Sequence, residues 1–272
     1  MAVNRIVLLT LGWEDLPKSY SVFGADPRER LREPTPGILL ETDAGWILLD
    51  TGFNTALVRD PYLRERFYPD ADYLPVVAEE GEPLVEALQG AGLAVPDITA
   101  IALSHLHSDH AGGLKLFGAD VPVHIQRKEL DFGLNDPRAE ADGVFRVDFD
   151  DPRIDWVLID GDAEIAPGVR AVATPGHTPG HQSFVVDLAG GQGGYVFAFD
   201  AADLTENIDH ERPIGSFIDV TADETVAPIR RLKQIAQETG YRLVPGHDPL
   251  VWPALSGELA TLTPASRGEQ GT

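Results

Sequence analysis

The stretch Ser104-His105-Leu106-His107-Ser108-Asp109-His110-Ala111-Gly112-Gly113 constrains this chain more than any other. It follows the apolar run Ile98-Thr99-Ala100-Ile101-Ala102-Leu103, which reads as a buried strand. A strand ending in such a cluster throws its polar side chains onto a tight loop, where residues two apart can converge on one point. Neutral imidazole nitrogens with a carboxylate oxygen are the donors a borderline divalent metal takes. Histidines at a strand end can also be ordinary polar loop residues. Here, however, three of the chain's eight histidines fall in six consecutive positions. The segment reads as a metal site.

Further donors lie downstream, in Thr174-Pro175-Gly176-His177-Thr178-Pro179-Gly180-His181, in Phe197-Ala198-Phe199-Asp200, and in Val244-Pro245-Gly246-His247-Asp248. Upstream, Asp50-Thr51-Gly52 closes the apolar run Trp46-Ile47-Leu48-Leu49. In this order, and with His105-x-His107-x-Asp109-His110 at the centre, the set resembles the motifs of the metallo-β-lactamase superfamily over about residues 37–248. The resemblance implies a two-metal site. One ion would be held by His105, His107 and His177 and the other by Asp109, His110 and His247, with Asp200 bridging. Asp50 would orient a metal-bound imidazole, although an Asp-Thr-Gly strand end can also be a simple turn. A metal pair about 3.5–4 Å apart lowers the pKa of a shared water toward neutrality and polarises a carbonyl. The chemistry expected is attack by a metal-bridging hydroxide, with Asp109 and Asp200 as the catalytic acids. No serine or cysteine nucleophile is needed, and the chain has no cysteine. The donor types suit two divalent ions, zinc first, with iron, manganese or cobalt also compatible.

Within the superfamily the nearest look is to the N-acyl homoserine lactonase branch. It rests on residues 174–183, the Phe199-Asp200-Ala201-Ala202 segment, and Arg231-Leu232-Lys233 ahead of Pro245-Gly246-His247-Asp248. That branch implies a hydrolase opening a lactone ring, a quorum-quenching activity. The alternatives are a metallohydrolase of another ester, thioester or amide, and a non-hydrolytic metal or redox protein. One departure stands out. The branch commonly carries a tyrosine three residues after the bridging aspartate, and this chain has Asp203 there. An ionised carboxylate cannot stabilise an oxyanion, so either another group donates or the substrate differs.

Composition bounds the rest. A hydrophobic content of 43% over 272 residues supports a large core. The reading is one metallo-β-lactamase-like domain over residues 1–255 and a flexible, small-residue-rich tail over 256–272. Net charge is −23, from 21 basic and 44 acidic residues, which disfavours nucleic acid, whose phosphates need Lys and Arg. A small-molecule substrate is expected instead, with a homodimer left open. Residues 1–10 lack the basic start and long apolar core of a secretory signal, and no run reaches the ~18 apolar residues of a membrane span. These features point to the cytoplasm.

Residues 36–50 read as a β-hairpin turning at Asp43-Ala44-Gly45. Residues 82–93 and 225–239 have helical spacing, the second stopped by Gly240, with Pro228 in its first turn or kinking it. Short strands are expected at 121–125, 155–160, 169–173, 183–188 and 195–199. Composition alone gives mixed α and β. The family resemblance implies a four-layer αββα sandwich. Residues 12–33 and 134–153 show no sustained period and read as irregular connections that shape substrate choice. Trp13, Tyr20 and Phe23 within them read as core more readily than as substrate lining. Among the remaining histidines, His181 is expected to fix its loop by hydrogen bonds, His124 to sit on a sheet face and His210 to be exposed.

Overall fold

Ile38, Leu39 and Leu40 are consecutive in the chain and all fully buried, yet they belong to two different cores. A strand turns successive side chains to opposite faces, so such a run demands a sheet covered on both sides. Ile47-Leu48-Leu49 repeats the pattern, and Phe184-Val185-Val186 does so in a second sheet.

The computed structural model describes residues 2–261. The first sheet contains β1 (Arg5–Pro17), β2 (Arg30–Thr42), β3 (Gly45–Leu49), β4 (Leu74–Val76), β5 (Ile98–Ala102), β6 (Pro122–Gln126) and β7 (Asp155–Ile159), in the order β4-β1-β2-β3-β5-β6-β7. The second contains β8 (Ala163–Ala166), β9 (Val169–Ala173), β10 (Gln182–Asp187), β11 (Gly194–Phe197) and β12 (Arg242–Val244), in the order β12-β11-β10-β9-β8. The helices are α1 (Thr55–Arg59), α2 (Pro61–Phe67), α3 (Pro83–Gly90), α4 (Ser108–Ala111), α5 (Arg127–Asn135), α6 (Arg146–Phe149), α7 (Thr205–His210), α8 (Val226–Thr239) and α9 (Val251–Thr261).

Ile6, Leu8, Ile38 and Leu49 of the first sheet meet Ala171, Phe184, Val186 and Phe197 of the second in a shared core. The outer face of the first sheet is covered by Leu84 and Leu88 of α3 and Leu130 of α5, and that of the second by Ile229 and Leu232 of α8. The result is the αββα sandwich. Helix α8 ends where Gly240 takes φ 73°, a left-handed conformation that glycine adopts without a Cβ penalty. Pro228 lies in its first turn, where a missing N–H costs nothing. No described helix is long and apolar enough to cross a membrane.

Two expectations change. Much of 12–33 is not irregular: β1 and β2 pair as one long hairpin from Arg5↔Glu41 out to Pro17↔Arg30, with a register shift between Thr10 and Gly12. Alternation persists in the outer half of β1, but the inward positions are Glu14 and Leu16, so an apolar count does not register it. Of the expected tail 256–272, residues up to Thr261 continue α9, and Leu259 is buried in the shared core. The remainder lies outside the described residues.

The topology also places the site. β3, β5, β9, β11 and β12 all lead from their carboxyl ends into the motif segments, at residues 50, 103–110, 174–181, 198–203 and 245–248. Carboxyl ends of strands are where open α/β sheets gather ligand-binding loops.

Candidate metal centre

His105 and His107 lie on the loop after β5, and His107 precedes α4, whose first turn carries Asp109 and His110. Gly112 and Gly113 let this turn pack against residues 51–54. A Cβ on Gly112 would stand 2.0 Å from the Asn54 nitrogen, and one on Gly113 2.3 Å from the Thr51 oxygen. Thr51 N donates to His110 O at 2.7 Å, and Gly113 N to Gly52 O at 3.1 Å, fixing one loop to the other. Asp50, at φ 58°, and Phe199, at φ 49°, are left-handed non-glycine residues beside the centre. Such conformations persist only where surrounding contacts hold them.

Hydrogen bonds fix which nitrogen of each imidazole faces inward. Asp50 accepts from Ser104 N (2.7 Å), Ser104 Oγ (2.6 Å) and His110 Nδ1 (2.6 Å). Because Ser104 Oγ donates to Asp50, it accepts from His105 Nδ1 at 2.9 Å. His177 Nδ1 donates to Ser216 O and His247 Nδ1 to Pro34 O, both at 3.0 Å. Each of these four rings therefore turns a lone pair on Nε2 toward the interior. His107 uses Nε2 on Asp142 at 3.2 Å and turns Nδ1 inward.

The inward atoms form two groups. His105, His107 and His177 bring their donor atoms within 4.8 Å of one another, and so do Asp109, His110 and His247. Asp200 stands between them and divides its oxygens. Its Oδ2 lies 3.3 Å from His177 Nε2 and 3.9 Å from His105 Nε2. Its Oδ1 lies 3.2 Å from His247 Nε2 and 3.3 Å from His110 Nε2.

This donor set fits two divalent ions. His107 Nδ1 and His177 Nε2 are 2.8 Å apart with both lone pairs turned inward, an arrangement that repels unless a cation shares them. His105 Nε2 is buried without a hydrogen-bond partner, which is costly for a polar atom unless a ligand takes it, and His110 Nε2 faces only the carboxylates of Asp109 (2.7 Å) and Asp200 (3.3 Å). Burial holds His177 at about 4, keeping it neutral as a ligand must be. Burial opposes ionisation of Asp200, yet the surrounding histidines, His110 and His247 foremost, hold it well below the usual carboxylate range.

Every donor read from the sequence converges on this point. His181 stands behind it: Nδ1 meets Thr174 Oγ1 at 2.9 Å, the ring is 5.2 Å from that of His105, and it belongs to neither donor group. Asp203 lines the cavity. His124 is half-buried on β6, and His210 is exposed.

Other residues carried no sequence signal. Buried Glu129 of α5 accepts from Leu106 N (3.0 Å), Thr178 Oγ1 (2.8 Å) and Gly180 N (2.9 Å), tying the two histidine loops together. Gly180 approaches it so closely that a Cβ there would lie 2.2 Å from the Glu129 nitrogen. A cavity of about 490 Å³ opens over the centre, its walls including Glu14, Glu33, Tyr20, Tyr68, Tyr73 and Phe145. Burial pushes Glu14 up to about 8 and Glu33 to about 7. Tyr20 and Phe23 are exposed rather than core, and Trp13 lies under Arg32.

Residues 32–247 match the family model of the metallo-β-lactamase superfamily. The chain belongs to that superfamily. An N-acyl homoserine lactonase of Bacillus thuringiensis is 31% identical over 248 residues, covering 91% of this chain and 94% of that protein. A second N-acyl homoserine lactonase, from Agrobacterium fabrum, is 29% identical over 80% of this chain and 83% of its own. The solved structure of an N-acyl homoserine lactone hydrolase, with the product N-hexanoyl-L-homoserine at its catalytic metal centre, superposes with TM-score 0.82. It is 30% identical, with 93% of this chain and 97% of that one covered. With this membership and two donor groups sharing one carboxylate, this superfamily member is a metal-dependent hydrolase.

Proposed function

We propose that this protein is a dinuclear lactonase that opens N-acyl homoserine lactones or closely similar lactones, a quorum-quenching reaction. The observation that carries the reading is the division of Asp200, one oxygen toward each donor group. His105, His107 and His177 hold one ion, and Asp109, His110 and His247 the other. Zinc suits these imidazole-rich sets, and iron, manganese and cobalt are compatible. Two bound ions supply an activated water and polarise the lactone carbonyl.

The chain's own groups do the rest. Water adds to the ring carbonyl carbon, the ring C–O bond breaks, and the alkoxide takes a proton to give a hydroxy acid. Asp109 lines the cavity and is the carboxylate placed to carry that proton. The carbonyl oxygen needs a donor, and Asp203 offers none when it is ionised. Of the cavity's phenols, Tyr20 donates to Asp70 and Tyr73 to Glu14. The Tyr68 hydroxyl, buried beside Ser108, is the one of the three that no carboxylate takes, so its proton is free for the substrate.

Purified protein is expected to carry about two metals per chain and to hydrolyse an acyl-homoserine lactone faster than a thioester or a β-lactam. His107→Ala should lose metal and activity together. Full turnover by a chelated, metal-free sample, or no lactone turnover by the two-metal form, would overturn the reading.

A further inference from the structure

The donor group around His247 has one more member than the two ions were assigned. Asp200, Asp203 and His247 each place a donor atom within 4.8 Å of the others, and all three residues are buried. Asp203 is only 6% exposed, and its Oδ1 has no hydrogen-bond partner. His105 Nε2, a donor to the other position, shares that condition. The backbone around Asp203 is fixed, since its carbonyl accepts from His247 N at 2.9 Å.

Among the described residues, no Lys or Arg answers this carboxylate. The single Lys or Arg in the cavity wall, Arg66, is paired with Glu140. His247 is committed through Nδ1 to Pro34 O and faces Asp200 with Nε2. The nearby acids Glu14 and Glu33 bring it no positive charge. A buried carboxylate beside another carboxylate stays ionised at low cost only if a cation is shared between them.

We infer that Asp203 is a further ligand of the ion held by Asp109, His110 and His247; the inference rests on the dinuclear reading above. Donors on opposite sides of one ion stand at most about 4.4 Å apart, given metal–oxygen and metal–nitrogen bonds of about 2.0–2.2 Å. A small side-chain adjustment closes the difference from 4.8 Å. The two positions then differ in kind. One has three imidazoles and a share of Asp200. The other has two imidazoles and three carboxylates, a harder set of higher coordination number. Oxygen-rich sets suit manganese or iron(II), whereas imidazole-rich ones suit zinc. The protein is therefore built for two unequal ions, and Asp203 sets the difference.

The test is metal binding to chelator-stripped full-length protein, with Mn²⁺ followed by calorimetry and Co²⁺ by visible absorption. Wild type should show two events. In Asp203→Ala the carboxylate-rich event should weaken about 10- to 100-fold, with a more intense Co²⁺ band as the ligand count falls, while the other event keeps its affinity. Asp203→Asn keeps the side-chain shape and should move the same event in the same direction. Thermal melts of the metal-free forms show that both variants fold. Two unchanged events in a folded variant overturn the assignment of Asp203 and leave the dinuclear reading standing. A single event in wild type overturns the dinuclear reading itself.

Discussion

At the scale of single residues, the centre is built by committing one nitrogen of each ring. Ser104, Asp50, Ser216 O and Pro34 O hold the Nδ1 atoms of His105, His110, His177 and His247, so the other nitrogens converge already oriented. Tyr68 shows the opposite condition, a hydroxyl whose proton no carboxylate takes, in a ring wedged against Phe53 and Phe145. If that hydroxyl serves the carbonyl oxygen, Tyr68→Phe should lower kcat by up to ~10²-fold with KM little changed, the loss associated with one oxyanion donor. Metal content and melting temperature should stay at wild-type values, because the ring packing survives. A wild-type kcat in the variant would remove Tyr68 from the reaction. The donor residues were legible in the sequence because metal chemistry forces close spacing at strand ends. Glu129, Asp142, Glu14 and Tyr68 were not, since each acts on segments far away in the chain. Glu129 meets Leu106 and Thr178, and Asp142 meets His107, contacts that only the fold creates.

At the scale of elements, continuous apolar runs exposed the strands wherever both faces are buried, and the signal faltered where one face is a cavity wall. The outer halves of β1 and β2 turn Glu14 and Glu33 inward, so the apolar period disappears although the pairing continues. Helix α9 was missed for a different reason. Its polar and small residues resemble a tail, and only the placement of Trp252, Leu255 and Leu259 in the core between the sheets shows that it belongs to the fold. It packs against β1 at the far end of the chain, a contact no local pattern announces. Leu255 is fully buried there, and Leu255→Ala should cost about 2–5 kcal/mol, from lost transfer energy and the cavity left behind. Urea denaturation of wild type and variant measures this directly. A loss within 0.5 kcal/mol, as at a surface site, would mean that α9 is not docked as described.

At the scale of the whole molecule, a net charge of −23 makes stability depend on pH and salt through two separable causes. The diffuse one is self-repulsion, which grows as carboxylates ionise and is screened by added salt. The local one is Asp148, buried on α6 away from the metal donors, accepting from Asn54 Nδ2 at 2.7 Å while its Oδ2 has no partner. Burial pushes it up to about 7 from an ordinary 3.8. Between those values the folded chain holds a proton that the unfolded chain has lost. The contribution is therefore fully present below about 4 and withdrawn as pH rises through about 7, amounting to a few kcal/mol. Asp148→Asn carries no titrating proton, so its stability should fall less than that of wild type between pH 5 and pH 8. Salt should raise the melting temperature of both proteins equally, because Asp148 is shielded from solvent ions. Urea unfolding at the two pH values, each at low salt and at about 0.5 M, where the Debye length falls to about 4 Å, separates the causes. Equal pH dependence in the two proteins would show that the proton on Asp148 does not set the slope.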